Sequence, residues 1–473
     1  MTEREAVFLP VRKLSERVRA RQVSPVALTR LFLDRLERIG PRYNAVMTLT
    51  PELAEKQAQD AEQEIGEGRY RGPLHGIPYG LKDVFATKGY PTTWGAGPLR
   101  DQRFDYDATI ARRLRDAGAV LAAKLAMVEL AGGTGYRRAN ASFTGPGLNP
   151  WDPGTWSGGS SSGSGSAVAA GLVPFAIGTE TWGSIVGPST NCAVSGLRPT
   201  FGRVSRHGGM PLTYGMDKPG PMCLTADDCG LVLDAVAGHD DRDEATTKRT
   251  YEYRPHRPER RRYRLGVPRG VPDGSQPGVQ DRFREALDVL AEVADIEEVE
   301  LPDLPYAEVS STIFLAESAS VMEELIDSGI TAGLTAPEGR IGIYPRTAVL
   351  ATDYLRALRL RRTIAVAADR LLARHDALLS PTRPTVAPPA DRPWVKKPGE
   401  RAADPLGAFG SCVGLPAISV PMGFADEGLP IGLQILGRAY DENAVLAVAS
   451  AYQELTDWHA RHPPDLLRDI ATD

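Results

Sequence analysis

The stretch Gly158–Ser189, "GGSSSGSGSAVAAGLVPFAIGTETWGSIVGPS", decides how the chain is read. Its opening run, Gly158 to Ser166, has the composition of a flexible linker, and such tracts ordinarily carry neither structure nor chemistry. This one continues without a break into "SAVAAGLVPFAIGTE", which reads as a helix followed by a strand. A tether has no reason to end against the most apolar part of a chain. Small side chains placed there let backbone approach another group closely, and their hydroxyls can fill a buried hydrogen-bond network.

Outward from this block the pattern alternates. Upstream, "DATIARRLRDAGAVLAAKLAMVEL" reads as helix, strand and helix, and "GPLHGIPYGLKDVFATKGY" as short strands joined by tight turns. Near the start, Ser24 and Pro25 form a cap and first-turn pair. Leu28, Leu31, Phe32, Leu36 and Ile39 then share one face, and a second helix covers "PELAEKQAQDAEQEI". Downstream come "YRLGVP", "VQDRFREALDVLAEV" and "DIEEVELP", a further strand–helix–strand pass. A long helical region from Ser310 to His375 leads to a strand in "DALLSPTRPTVAPP". A hairpin from "LPAISVPMGF" and "LPIGLQILG" and the helix "ENAVLAVASAYQEL" close the chain. This alternation predicts an α/β fold: one large α/β/α domain with a mixed central β-sheet flanked by helices. Residues 1–70 are expected as a helical segment packed on a catalytic unit of residues 71–473.

Composition narrows the function classes. The 473 residues are 42% hydrophobic and 24% charged with a net charge of −5, which is ordinary for a soluble protein and argues against nucleic acid as partner. The opening "MTEREAVFLPVRKL" lacks the charge asymmetry of a signal peptide, and no apolar run approaches the roughly 18 residues of a membrane span. A cytoplasmic protein is expected. Cys192, Cys223, Cys229 and Cys412 are too scattered for a disulfide framework and read as small hydrophobes. His459 and His462, in "WHARHPP", lack an acidic or cysteine partner at ligand spacing, so neither a metal nor a cofactor is expected. The polar stretch ending in "RPHRPERRRYR" reads as a solvated connection rather than an RNA-binding patch.

Three features carry chemistry: Lys82 in "GIPYGLKD", the cluster Ser160-Ser161-Ser162, and Ser184 in "GTETWGSIVGPS". A serine is a weak nucleophile until a base takes its proton. Neither a G-x-S-x-G elbow nor a phosphate-binding G-x-x-x-x-G-K-[ST] loop is present. Lysine serves as base where burial lowers its pKa. Each feature alone is weak, since a lone lysine is ordinarily a surface charge.

In this order, and with "NPWDP" and "GLPAISVPMGF…GLPIGLQILG" around them, the features closely resemble the amidase signature family from about residue 10 to residue 455. The resemblance implies Ser184 as nucleophile, Ser160 as a serine held by a cis peptide bond, and Lys82 as base. It implies the backbone N–H groups of Thr181, Trp182, Gly183 and Ser184 as the oxyanion hole, and reaction through an acyl-enzyme. Three departures bear on substrate: Trp182 replaces a glycine, Glu180 an aspartate, and Val186 an arginine. With an apolar residue at 186, an apolar or aromatic substrate is expected. Met127, Val128, Gly132, Gly133 and Tyr136, in "MVELAGGTGY", are pocket candidates with Phe409 and Cys412, and for each core packing is an equal reading.

Within the family, the texture is nearest the glutaminase subunit of tRNA-dependent amidotransferases. Asp404 falls where that subunit holds the glutamine amino group. Ser310 stands where it has a tyrosine, and its carboxylate-binding arginine falls at Arg340 or Arg346. The leading expectation is a stand-alone hydrolase of carboxylic amides, with esters or carbamates open to the same chemistry. The alternatives are the glutaminase subunit and a catalytically silent binding homologue. The partner expected is a small-molecule amide, ester or carbamate, with no nucleic acid and no membrane, and a homodimer is left open.

Overall fold

The computed structural model describes residues 6–256, 262–393 and 405–472. The strands in chain order are β1 (Val46–Leu49), β2 (Pro78–Lys82), β3 (Val120–Leu125), β4 (Leu148–Asn149), β5 (Asp152–Trp156), β6 (Phe175–Glu180) and β7 (Ser195–Arg198). They continue with β8 (Lys218–Cys223), β9 (Tyr263–Pro268), β10 (Ala294–Val299), β11 (Ala377–Pro381), β12 (Ala417–Phe424) and β13 (Pro430–Leu436). β4 and β5 form a separate ribbon, and the rest make one eleven-stranded sheet in the order β1-β3-β2-β6-β8-β7-β12-β13-β11-β9-β10. β3, β2 and β6 run parallel, as do β11, β9 and β10. The middle of the sheet is antiparallel. This is the mixed α/β sheet the sequence pattern predicts.

Sheet burial follows from composition. β2 and β3 are buried along their whole length. Neighbouring residues of one strand enter different cores: Leu121 and Ile177 join one apolar cluster, Ala122 and Ala176 another. A strand covered on both faces shows no polar alternation, which is why "VLAAKL" and "FAIG" read as continuous apolar runs. The helix Pro25–Arg38 starts as expected, with the Ser24 side chain accepting from the Ala27 N–H at 3.0 Å. The expected hairpin is present, with Val420 of β12 opposite Leu433 of β13.

Three expectations are corrected. The segment after β3 is not a helix but a short 3-10 turn, Glu129–Gly132, with Leu130 and Ala131 at φ 48° and 52°. Long-range bonds hold it: Glu129 accepts from the N–H groups of Thr335 and Ala336, and the Leu130 N–H donates to Trp94 O. The helical region from Ser310 to His375 is broken into Tyr306–Val321, Glu323–Asp327, Pro337–Ile341 and Ala351–Leu372. Gly329 at φ 70° and Pro337 interrupt it, because neither lets a helix run through. The N-terminal segment is not wholly helical, since β1 adds an antiparallel edge strand beside β3. All four cysteines are free and buried. Among the described residues, no helix is long and apolar enough to cross a membrane.

Candidate active site

The glycine–serine run is not a linker. It turns into the helix Ser162–Ala169, every residue of which is buried. The hydroxyls bond inward, Ser161 Oγ to Thr179 O at 3.2 Å, Ser164 Oγ to Ile177 O at 3.1 Å and Ser166 Oγ to Leu148 O at 2.8 Å. The glycines permit close approach. A Cβ on Gly163 would stand 2.5 Å from Ala126 N, and one on Gly158 would stand 2.8 Å from Pro188 Cα. The Gly159–Ser160 peptide bond is cis, the feature the resemblance attached to Ser160. The Val128 N–H donates to Ser160 O at 3.1 Å, fixing this serine to the loop after β3.

Lys82 is the last residue of β2 and has no exposed surface. Its Nζ lies 2.7 Å from Ser160 Oγ and 2.8 Å from Thr179 Oγ1. Burial lowers its pKa to about 7, against the charges of Asp217 and Glu180, which raise it. Lys82, Thr179 and the loop bearing Ser184 thus meet at the carboxyl ends of the parallel strands β2 and β6, where open α/β sheets bind ligands. Ser184 sits beside this pair, its carbonyl accepting from the Ser161 N–H at 3.4 Å. In the buried run from Gly158 onward, Thr179, Trp182 and Ser184 are the positions that regain partial exposure before the helix Val186–Cys192.

The loop 181–184 is held open from below. Glu180, fully buried, accepts from the N–H groups of Ile185 at 2.8 Å and Val186 at 3.0 Å, and pairs with Arg198 at 2.7 Å. Burial opposes its ionisation, but Arg198, Lys218 and the two N–H groups outweigh this and bring its pKa to about 2. Gly183 takes φ 82°, a conformation that favours glycine. Thr181 is clamped twice: its hydroxyl donates to Asp217 at 2.6 Å, and its carbonyl accepts from Lys218 Nζ at 3.2 Å. Lys218 also donates to Met216 O, and burial, then the Arg198 charge, lowers its pKa to about 7. Among the described residues, the N–H groups of Thr181, Trp182, Gly183 and Ser184 have no acceptor. Four donors left free on one turn suit an oxygen that gains charge during a reaction.

A cavity of about 290 Å³ opens beside Thr179 and Thr181, with Val84, Phe85, Met210 and Leu212 among its apolar walls. The pocket candidates from the sequence are spread more widely. Val128 lies against Gly159, Gly133 packs near Leu212 and Met322, and Gly132 lies under the half-buried ring of Tyr136. Met127, Phe409 and Cys412 are fully buried in apolar clusters. Asp404 lies outside the described residues. Arg340 donates to Leu334 O at 2.8 Å, and Arg346 donates to Gly133 O and to Ser318 Oγ at 3.1 Å.

Sequence reasoning missed Thr179 and the Asp217–Lys218 clamp. Asp217 and Lys218 stand in "GMDKPG", next to no residue with an assigned role.

The comparisons place the chain as a whole. The Amidase family model matches residues 27–446. The A subunit of glutamyl-tRNA(Gln) amidotransferase from Chloroflexus aggregans is 38% identical over 98% of this chain and 99% of its own length. The native peptide amidase of Stenotrophomonas maltophilia superposes with a TM-score of 0.82 at 34% identity, covering 96% of this chain and 98% of that one. A chain from a vestigial protein complex, tied to the evolutionary origins of an s-triazine catabolic enzyme, reaches 0.85 at 28% identity, covering 94% and 98%. With a match over most of its length and a family-like serine–lysine constellation at the strand ends, the chain belongs to the amidase signature family.

Proposed function

We propose that the chain hydrolyses a carboxylic amide through a Ser184 acyl-enzyme, with Ser160 and Lys82 as proton relay and base. The supporting observation is the 2.7 Å contact between a wholly buried Lys82 and Ser160, on a lysine whose pKa has fallen to about 7. Neutral Lys82 takes the Ser160 proton, Ser160 takes that of Ser184, and Ser184 Oγ attacks the carbonyl carbon. The tetrahedral oxyanion accepts from the free N–H groups of loop 181–184. Its collapse breaks the C–N bond, and the leaving amine receives the proton back through Ser160. Water then attacks the acyl-enzyme by the same relay and releases the acid. The walls around Phe85, Met210 and Leu212 suit an apolar arm on the substrate.

The test is a fluorophosphonate label mapped by peptide mass spectrometry. The label is expected on Ser184 and is expected to disappear in Lys82→Ala. A folded protein labelled elsewhere, or equally well without Lys82, sinks the assignment.

A second reading, the glutaminase subunit of a tRNA-dependent amidotransferase, is favoured by the sequence relatives, which match end to end at up to 38% identity. On that reading the partners are proteins as well as a small molecule. The two part on one measurement, ammonia release by the isolated chain. Ready turnover of neutral amides without a partner discards the subunit reading. Ammonia release from glutamine that appears only when partner subunits are added favours it.

A further inference from the structure

We propose that Arg383 binds a carboxylate of the substrate, so that the amide opened at Ser184 carries an anionic group in the same small molecule. This rests on the amide-hydrolase reading above and replaces the expectation of an uncharged substrate. Arg383 follows β11 and is half-buried. Its guanidinium lies against the nucleophile loop: a Cβ on Gly183 would stand 3.3 Å from Nη2. Ser184 is the next residue, its Cα about 3.8 Å further on. A Cβ on Gly187 would overlap Nη2 and stand 3.1 Å from both Cζ and Nε.

Gly187 is the informative neighbour. It sits in the helix Val186–Cys192 and is not among the glycines with positive φ, so backbone conformation does not require glycine there. Glycine costs a helix roughly 1 kcal/mol relative to alanine. The missing side chain therefore serves space, and the guanidinium occupies that space. Among the described residues, Arg383 has no ion-pair or hydrogen-bond partner. The nearest acid on the loop, Glu180, is already used by Arg198, Ile185 and Val186. On the other side stands Tyr136, whose hydroxyl is pushed up by burial and pulled back by the Arg383 charge. A planar fork of donors, partly desolvated and with no counter-ion among the described residues, matches a carboxylate in geometry and charge.

The probes are glutaramate, the monoamide of a five-carbon diacid, and valeramide, its neutral counterpart. Binding is measured calorimetrically to Ser184→Ala protein, which keeps the site without turning over. Glutaramate is expected to bind about 10–100-fold more tightly than valeramide, the range of hydrogen bonds to a charged group. Arg383→Gln should erase that preference and leave valeramide binding within about threefold. Gly187→Ala should erase it too by displacing the guanidinium, and Arg383→Lys should keep part of it. Equal binding of the two probes, or a loss shared equally by both in Arg383→Gln, overturns the proposal. Because binding needs no turnover, the result is independent of Ser184 labelling, which alone decides whether the chain is an acyl-enzyme hydrolase.

Discussion

Replacing Glu180 with glutamine tests how the loop 181–184 is supported. Glu180 places one oxygen on the N–H groups of Ile185 and Val186 and the other on Arg198 Nη1. A glutamine of the same shape must turn its NH₂ toward one of these donors, so a donor faces a donor either way. The Arg198 side chain has no exposed surface and would keep a buried charge without its counter-ion. Breaking such a pair from one side costs about 3–5 kcal/mol, to be read from denaturant unfolding. Removing both charges in Glu180→Gln/Arg198→Met should recover part of that stability. It should not recover kcat, because the N–H groups of Ile185 and Val186 still lack their carboxylate. A second readout concerns Lys82. The Glu180 charge raises the Lys82 pKa, so its loss must lower that pKa further below about 7. On the proposed mechanism activity requires neutral Lys82 and rises with pH through that value, so the ascending limb of the pH–rate profile should move to lower pH in Glu180→Gln. A limb that stays in place or moves upward, in a variant that still folds, refutes the electrostatic reasoning.

Four further outcomes are expected. Lys82→Met should lower kcat by about 10²–10⁴, the usual worth of a positioned base. The same variant should gain stability at low pH: the folded pKa of about 7 lies below the free value of 10.5, and each pH unit between them is worth about 1.4 kcal/mol. That gain is full below pH 7 and fades as pH rises toward 10.5, so urea titrations showing the largest gain at alkaline pH would contradict it. Lys218→Met should reduce kcat more than it raises KM, because it frees the Thr181 carbonyl and loosens the loop 181–184; a pure KM effect in steady-state kinetics counts against the clamp. Gly163→Ala should destabilise the fold by a few kcal/mol, since the new methyl meets backbone at Ala126; unchanged thermal unfolding would count against this packing.

The alternation of strands and helices was legible because both-face burial leaves an unmistakable apolar run, as in β3, and because caps such as Ser24 announce themselves locally. The turn at Glu129–Gly132 was not, because "MVELAGG" has good helix formers and is pulled into left-handed backbone by bonds to Thr335, Ala336 and Trp94. The same division holds at the candidate site. Ser160 and Ser184 stand in one dense block, and Lys82 in the upstream "GIPYGLKD", and the two stretches together are recognised by resemblance. Thr179 and Lys218 reach Lys82 and the loop 181–184 by proximity across strands, and nothing in their local residues signals it. The expectation of an apolar or aromatic substrate was drawn from Val186, whereas Arg383 reaches Gly183 from a loop 200 residues downstream.

One chain of backbone contacts bears on how this protein can be shortened. The Ala126 N–H donates to Ala45 O, the Gly163 N–H donates to Ala126 O, and the Val128 N–H donates to Ser160 O. The turn before β1 therefore braces the loop that braces the cis serine. A gene trimmed of its first seventy codons would remove the buttress along with the edge strand. For anyone dissecting or permuting this polypeptide, the beginning of the chain belongs to the reaction centre as structurally as the serines do.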